Sequence, residues 1–197
     1  TTRELAATPA LFGEIRHPSS GEYVLIPSVS SERRPFIPVG ILPAEVISTN
    51  LNLIIPHATL YHFGVLSSTM HMAWVRAVCG RLKSDYRYSA GIVYNNFPWP
   101  APTDPQRQAI ATAAQAVLDA RARFPSATLA DLYDPLTMPP ELLQAHRRLD
   151  RAVDAAYGKT AFASEAERVA FLFERYRQLT SLLPEERSTI GRKRKSR

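Results

Sequence analysis

Hydrophobic residues follow two different rhythms along this chain. As far as residue 98 they come in short β-branched and aromatic runs, cut by proline and serine. From 105 to 182 they recur every three or four positions among Ala, Leu, Arg and Glu. The first rhythm predicts strands and the second amphipathic helices. Pro98, Pro100, Pro102 and Pro105 stiffen the junction and put a boundary there. The expected fold class is therefore α+β. A small mixed or antiparallel β-rich domain with a helix is expected over 1–98, a helical bundle over 99–186, and a basic, disordered tail over 187–197.

In the first region Tyr23–Ile26 predicts a strand stopped by Pro27, and Phe36–Ile41 a second, sent to an edge by Pro38. Val46–Ile55, stopped by Pro56, is the strongest strand pattern. Ser67 or Ser68 then caps a helix in which Met70, Trp74, Ala77 and Val78 recur at helical spacing and which ends at Gly80. Met70, Met72 and Trp74 fit core packing better than an aromatic wedge for DNA. In the second region Asp104 caps a helix with Pro105 in its first turn, lined by Ile110, Ala113, Ala114, Val117 and Leu118 and ended by Pro125. Pro139-Pro140-Glu141 opens the next, with Leu142, His146, Leu149, Val153 and Tyr157 on one side and Gly158 as its stop. Ser164 and Glu167 form a capping box for a third, striped by Val169, Leu172, Phe173, Tyr176 and Leu179. His146 on such a face is a packed or rim residue rather than a base.

The stretch Gly80–Pro100, GRLKSDYRYSAGIVYNNFPWP, joins the two rhythms. From Leu82 to Tyr88 the residues alternate, so an extended strand puts Lys83, Asp85 and Arg87 on one side and Leu82, Ser84, Tyr86 and Tyr88 on the other. Ile92–Tyr94 predicts a second strand, with Gly91 free for the turn between them, and Phe97–Pro100 an apolar clip at the junction. Three charges of mixed sign backed by aromatics suit a reading head for base edges. They suit equally a solvated edge strand, where lysine discourages unwanted pairing. Spacing alone does not separate the two.

Charge changes the picture once it is divided. The formal +6 comes from 24 basic and 18 acidic residues. Six of the basic ones (Arg187, Arg192, Lys193, Arg194, Lys195 and Arg197) lie in the last eleven positions, which hold no acid, so the remainder is balanced at 18 against 18. A tail of this kind adds salt-sensitive attraction to phosphate. Cys79, the single cysteine, excludes an internal disulfide and a cysteine metal cluster and makes a reducing, cytoplasmic setting the expectation. No apolar run approaches the ~20 residues of a membrane span. The chain starts at Thr1 without a methionine and reads as a piece of a longer protein. There is no glycine-rich phosphate cradle, nucleophile elbow or HExxH, and His62 and His71 have no carboxylate at ligand spacing.

The strings FGVLSSTMHMAWVRAVCGRLKSDYRYSAGIVYNNFPWP (Phe63–Pro100) and LYDPLTMPPELLQAHRRLDRAVDAAYG (Leu132–Gly158) resemble the C-terminal part of MmeI-like DNA methyltransferases, from about Ala44 to Gly158. These are large restriction–modification enzymes that join methylation and target recognition in one polypeptide. The resemblance implies a target recognition domain over 1–98 followed by a helical C-terminal domain. It implies a parent that transfers a methyl group from S-adenosylmethionine to adenine. Neither catalytic nor cofactor-binding residues are expected in this piece. Amino-methylating enzymes use an Asn-Pro-Pro-aromatic turn, and Asn95-Asn96-Phe97-Pro98-Trp99 is out of register with it. In the family, positions matching Lys83 and Asp85 together specify one base pair. The position matching Arg87 works on another with a partner that falls, without gaps, on Leu51.

Chemistry supports the first pair independently: lysine donates to the acceptor edge of guanine and aspartate accepts from the amino group of cytosine. Two strand residues of one face are ~6.6 Å apart, a reach that matches the halves of one G·C pair. Arg87 is expected to favour guanine or, more loosely, a purine. The expected partners are double-stranded DNA and the parent's methyltransferase domain in cis. The competing reading is a protein-interaction module that docks on that domain without reading bases.

Overall fold

Tyr23, Val24 and Ile26 are almost wholly buried, which is why the first strand sits at the centre of its sheet. The computed structural model describes residues 17–181 together with Glu4, Ala6 and Ala7; the basic tail falls outside them. Strands β1 (Glu22–Pro27), β3 (Gly40–Pro43) and β4 (Asn52–Pro56) form an antiparallel sheet in the order β3-β1-β4. Strands β2 (Val29–Ser30), β5 (Gly80–Leu82) and β6 (Asp85–Arg87) form a second, in the order β2-β6-β5. The chain changes sheets at Ser28. Its N–H donates to the Leu51 carbonyl at 3.1 Å and its carbonyl accepts from Tyr88 N–H at 2.8 Å.

Helices α1 (Leu60–Leu66) and α2 (Thr69–Val78) lie between the sheets in sequence, and α3 (Asp104–Ala122), α4 (Leu129–Leu132), α5 (Pro140–Ala156) and α6 (Glu165–Thr180) follow. The α+β class read from the sequence is what the chain adopts. Ser68 caps α2, its Oγ accepting from His71 N–H at 3.2 Å. Gly158, at φ 77°, follows α5 in the left-handed conformation that glycine adopts without a Cβ clash.

Several expected elements differ. Within Val46–Ile55 only Asn52 onward is strand: Tyr23 O–H donates to the Val46 carbonyl at 2.6 Å and holds a loop there, with Ile47 exposed. Pro38 delays the second strand to Gly40, at the sheet edge. Ile92–Tyr94 belongs to one wide helical turn, Ala90–Tyr94, instead of a strand. That turn is closed by Asn95 N–H to the Ala90 carbonyl at 2.9 Å, and the Asn96 amide donates to Gly91 O at 2.8 Å and Ile92 O at 3.2 Å. Helix α1 has no counterpart in the expectations. The cap of α3 is Thr103, boxed with Gln106, instead of Asp104. Glu167 reaches past Ser164 to the Ala163 N–H at 2.6 Å.

The three long C-terminal helices do not close a core among themselves; one apolar core runs through both halves of the chain. Gly64 of α1 lies so near α3 and α5 that a Cβ there would stand 2.8 Å from Ile110 Cγ2 and 3.2 Å from Leu149 Cδ1. Asp150 of α5 accepts from Thr69 N–H at 2.7 Å and from its hydroxyl, so a carboxylate sits at the positive end of α2. Arg121 is buried, and among the described residues it makes no ion pair. It donates to the Val39 carbonyl at 2.8 Å and to the Tyr133 hydroxyl at 2.9 Å from Nε. Tyr133 in turn donates to His146 Nε2 at 2.6 Å, which leaves Nδ1–H to donate to the Ser67 carbonyl at 3.1 Å. His146 is thus a packed residue, stacked on Phe36 at 4.0 Å. The Phe97–Pro100 clip is seen as well: Tyr157 O–H donates to Pro98 O at 3.0 Å, and Trp99 packs among Tyr61, His62, Tyr94 and Phe97.

Candidate nucleic-acid interface

Gly80 to Arg87 is not one extended strand. It is a hairpin in which Leu82 pairs with Asp85, Arg81 with Tyr86 and Gly80 with Arg87, leaving Lys83-Ser84 as a two-residue loop. Lys83 has φ 56°, the left-handed setting that short hairpin loops require at their first position. Asparagine or glycine ordinarily fills it, so the turn carried no signal in the sequence and the period-2 pattern was read straight through it.

Across this hairpin Asp85 and Arg87 share one face of β6, as the alternation implied, and Tyr86 and Tyr88 lie buried on the other. Leu82 differs: paired with Asp85, it joins the charged face and is 49% exposed. Lys83 stands at the loop beyond the strand, so its relation to Asp85 is set by the turn and not by the pleat. The buried tyrosines hold the hairpin to the body. Tyr88 shares a hydrogen bond with His71 Nε2 at 2.9 Å, and burial pushes that imidazole down to about 3, keeping it neutral. Burial also drives the Tyr88 hydroxyl well above its usual range.

The charged side chains of the hairpin differ in their partners. Arg81 is engaged, its guanidinium 4.2 Å over the Tyr86 ring, 2.9 Å from Ser84 O and 3.8 Å from Glu32. Asp85 Oδ1 accepts from Glu32 N–H at 3.3 Å. Lys83 and Arg87 are exposed, and their side chains make no hydrogen bond or ion pair among the described residues.

Leu51 and Arg87 line the same cleft. Because Ser28 bonds to both Leu51 and Tyr88, the seam between the two sheets opens into a cleft of about 290 Å³ lined by Pro27, Ser28, Val29, Asn50, Leu51, Asn52 and Arg87. Leu51 is 69% exposed at its rim. Sequence reasoning missed Ser28, Asn50 and Asn52, since the last two lie in a segment that reads as continuous strand. The Asn52 amide is held by Thr49 Oγ1 at 3.3 Å. The sheet switch that joins them leaves no trace in periodicity.

Fold and face together make an α+β scaffold that fixes a charged hairpin and an adjoining cleft of mixed apolar and polar lining at its surface. The chain belongs to the MmeI family: residues 1–101 match the MmeI target recognition domain and residues 102–184 the MmeI C-terminal domain. DNA methyltransferase A of Bacillus subtilis (strain 168) is 45% identical over 179 residues, which cover 91% of this chain and 20% of that protein. A solved structure of the Type IIL restriction-modification enzyme MmeI in complex with DNA matches at a TM-score of 0.86 and 53% identity, over 92% of this chain and 24% of that one. The chain thus spans a fifth to a quarter of the length of these relatives. Among the described residues no helix is long and apolar enough to cross a membrane.

Proposed function

We propose that this chain is the sequence-reading part of an S-adenosylmethionine-dependent adenine-N6 DNA methyltransferase of a restriction–modification system, acting on duplex DNA in the cytoplasm beside its methylase domain in cis. The observation that carries it is the hairpin: Lys83 and Arg87 at its surface without a side-chain partner among the described residues, Asp85 between them, Leu51 across the cleft, and two buried tyrosines behind. A left-handed lysine adds weight. L-residues other than glycine bear roughly 1–2 kcal/mol there, and asparagine relieves it at little structural cost. A lysine in that place points to a role for its side chain.

In this reading Lys83 donates to guanine and Asp85, through its second oxygen, accepts from cytosine. Arg87 works with Leu51 on a neighbouring pair and prefers guanine. Each good contact supplies about 1–3 kcal/mol of discrimination. The test is Lys83→Glu together with Asp85→Arg in the full-length enzyme, followed by mapping of methylated sites. A changed base at one position supports the reading; an unaltered site refutes it. Docking on the methylase domain belongs to the same chain and has its own support, the exposed apolar side chains Phe173 and Leu179 on α6.

A further inference from the structure

The turn Ser31–Arg34 leaves β2 beside β6 and lies against the charged hairpin. Four bonds shape it. Arg34 N–H donates to Ser31 O at 3.2 Å, closing the turn, and Arg33 N–H donates to Ser31 Oγ at 3.4 Å. Glu32 N–H donates to Asp85 Oδ1 at 3.3 Å, and Arg34 Nη1 donates to Ser30 Oγ at 3.5 Å. Just beyond, Phe36 is buried against His146 and ties the turn to the core.

Most of the charged side chains gathered here are used inside the protein. Glu32 faces Arg81, Arg81 covers Tyr86, Arg34 reaches Ser30, and Asp85 has one oxygen occupied. Arg33 is left over, as Lys83 and Arg87 are on the hairpin. It is exposed at the tip of a fixed turn, one residue from the N–H that holds Asp85, and its guanidinium has no partner among the described residues. A planar fork of donors on a preorganised backbone suits a phosphate oxygen pair better than any group nearby.

We propose that Ser31–Arg34 is a second DNA-contacting element, in which Arg33 grips a backbone phosphate and so fixes the register in which the hairpin meets the base edges. Arg33 is a positioning residue: it carries no sequence information itself. The inference rests on the base-reading role of the hairpin, and its test is separable from that role.

The experiment compares Arg33→Ala, Arg33→Lys and Arg87→Ala in the full-length enzyme. Binding to cognate and non-cognate duplexes is measured from 0.05 to 0.3 M salt, and methylated sites are mapped. A lost phosphate contact lowers the slope of log K against log salt by about 0.9, equivalent to about an eightfold loss of affinity at 0.1 M salt. For Arg33→Ala that loss should be equal on both duplexes, with the methylated sequence unchanged, and Arg33→Lys should restore most of the slope. An unchanged salt slope overturns the proposal, and so does a loss confined to the cognate duplex or a new methylated sequence. Arg87→Ala reports on the hairpin alone. If it leaves the methylated sequence intact, the base-reading role of Arg87 fails whatever Arg33 does.

Discussion

Lys83 opens the two-residue loop of the β5–β6 hairpin at φ 56°, and substitution there separates stability from specificity. The left-handed conformation costs a residue with a Cβ roughly 1–2 kcal/mol, whereas glycine adopts it freely but brings about 0.5–1 kcal/mol more backbone entropy to the unfolded chain. Lys83→Gly should therefore stabilise the fold by about 0.5 kcal/mol. For a chain of this size 1 kcal/mol moves the melting temperature by roughly 2–4 °C, so the expected rise is about 1–2 °C. No buried contact is lost, since the lysine side chain is exposed and unpaired among the described residues. In the full-length enzyme the same substitution should cost about 1–3 kcal/mol of discrimination at one base pair, a roughly 5- to 150-fold fall in preference. Thermal unfolding and competition between duplexes differing at single positions measure the two effects. A melting temperature lowered by several degrees refutes the strain argument. Unaltered preference at every position refutes the role of the side chain.

Two further outcomes test the scaffold. Gly64→Ala drives a methyl group toward Ile110, Ala114 and Leu149 and should destabilise the chain by about 1–3 kcal/mol, read as a lower urea midpoint; an unchanged midpoint would mean that α1 can shift freely. His71 and His146 are held neutral, with pKa values pushed down to about 3 by burial and, for His146, by Arg121 as well. Unfolded histidine takes up its proton near pH 6.5, so stability is full above that value and declines as pH falls toward 3, by roughly 1 kcal/mol per unit for each ring. The raised carboxyls of Asp150 and Asp154 act in the opposite sense nearer their own range, so the clean comparison is pH 7.5 against 5.5. An equal urea midpoint at the two values would contradict the neutral assignment.

The elements that sequence revealed are those with local punctuation. Pro27 ends β1, Ser68 starts α2, and Pro140 and Gly158 bracket α5; each acts through its own backbone and needs no knowledge of the fold. Helix α1 was hidden for the opposite reason. Five of its seven residues are buried, Gly64 among them, so no polar face marks a period. The Lys83 turn was hidden because its first residue is an unusual occupant. The alternation of Asp85, Tyr86, Arg87 and Tyr88 survived into the structure, which is why the candidate surface was half legible. The cleft was not, because it depends on Ser28 joining Leu51 to Tyr88 across long sequence separations. Arg121 gave no sign either, being one more cation on a helix until Val39 and Tyr133 close over it.

The shared interior has a practical bearing on transplanting specificity between relatives. A splice in the proline-rich segment near residue 101 would part Arg121 from the Val39 carbonyl, Asp150 from Thr69 and Trp74 from Phe173 and Tyr176. It would also bare the groove that Gly64 fills beside Ile110 and Leu149. A donor hairpin carried over with its own helices through Thr180 brings its foundations with it. One grafted onto foreign helices inherits a mismatch at every one of those joints.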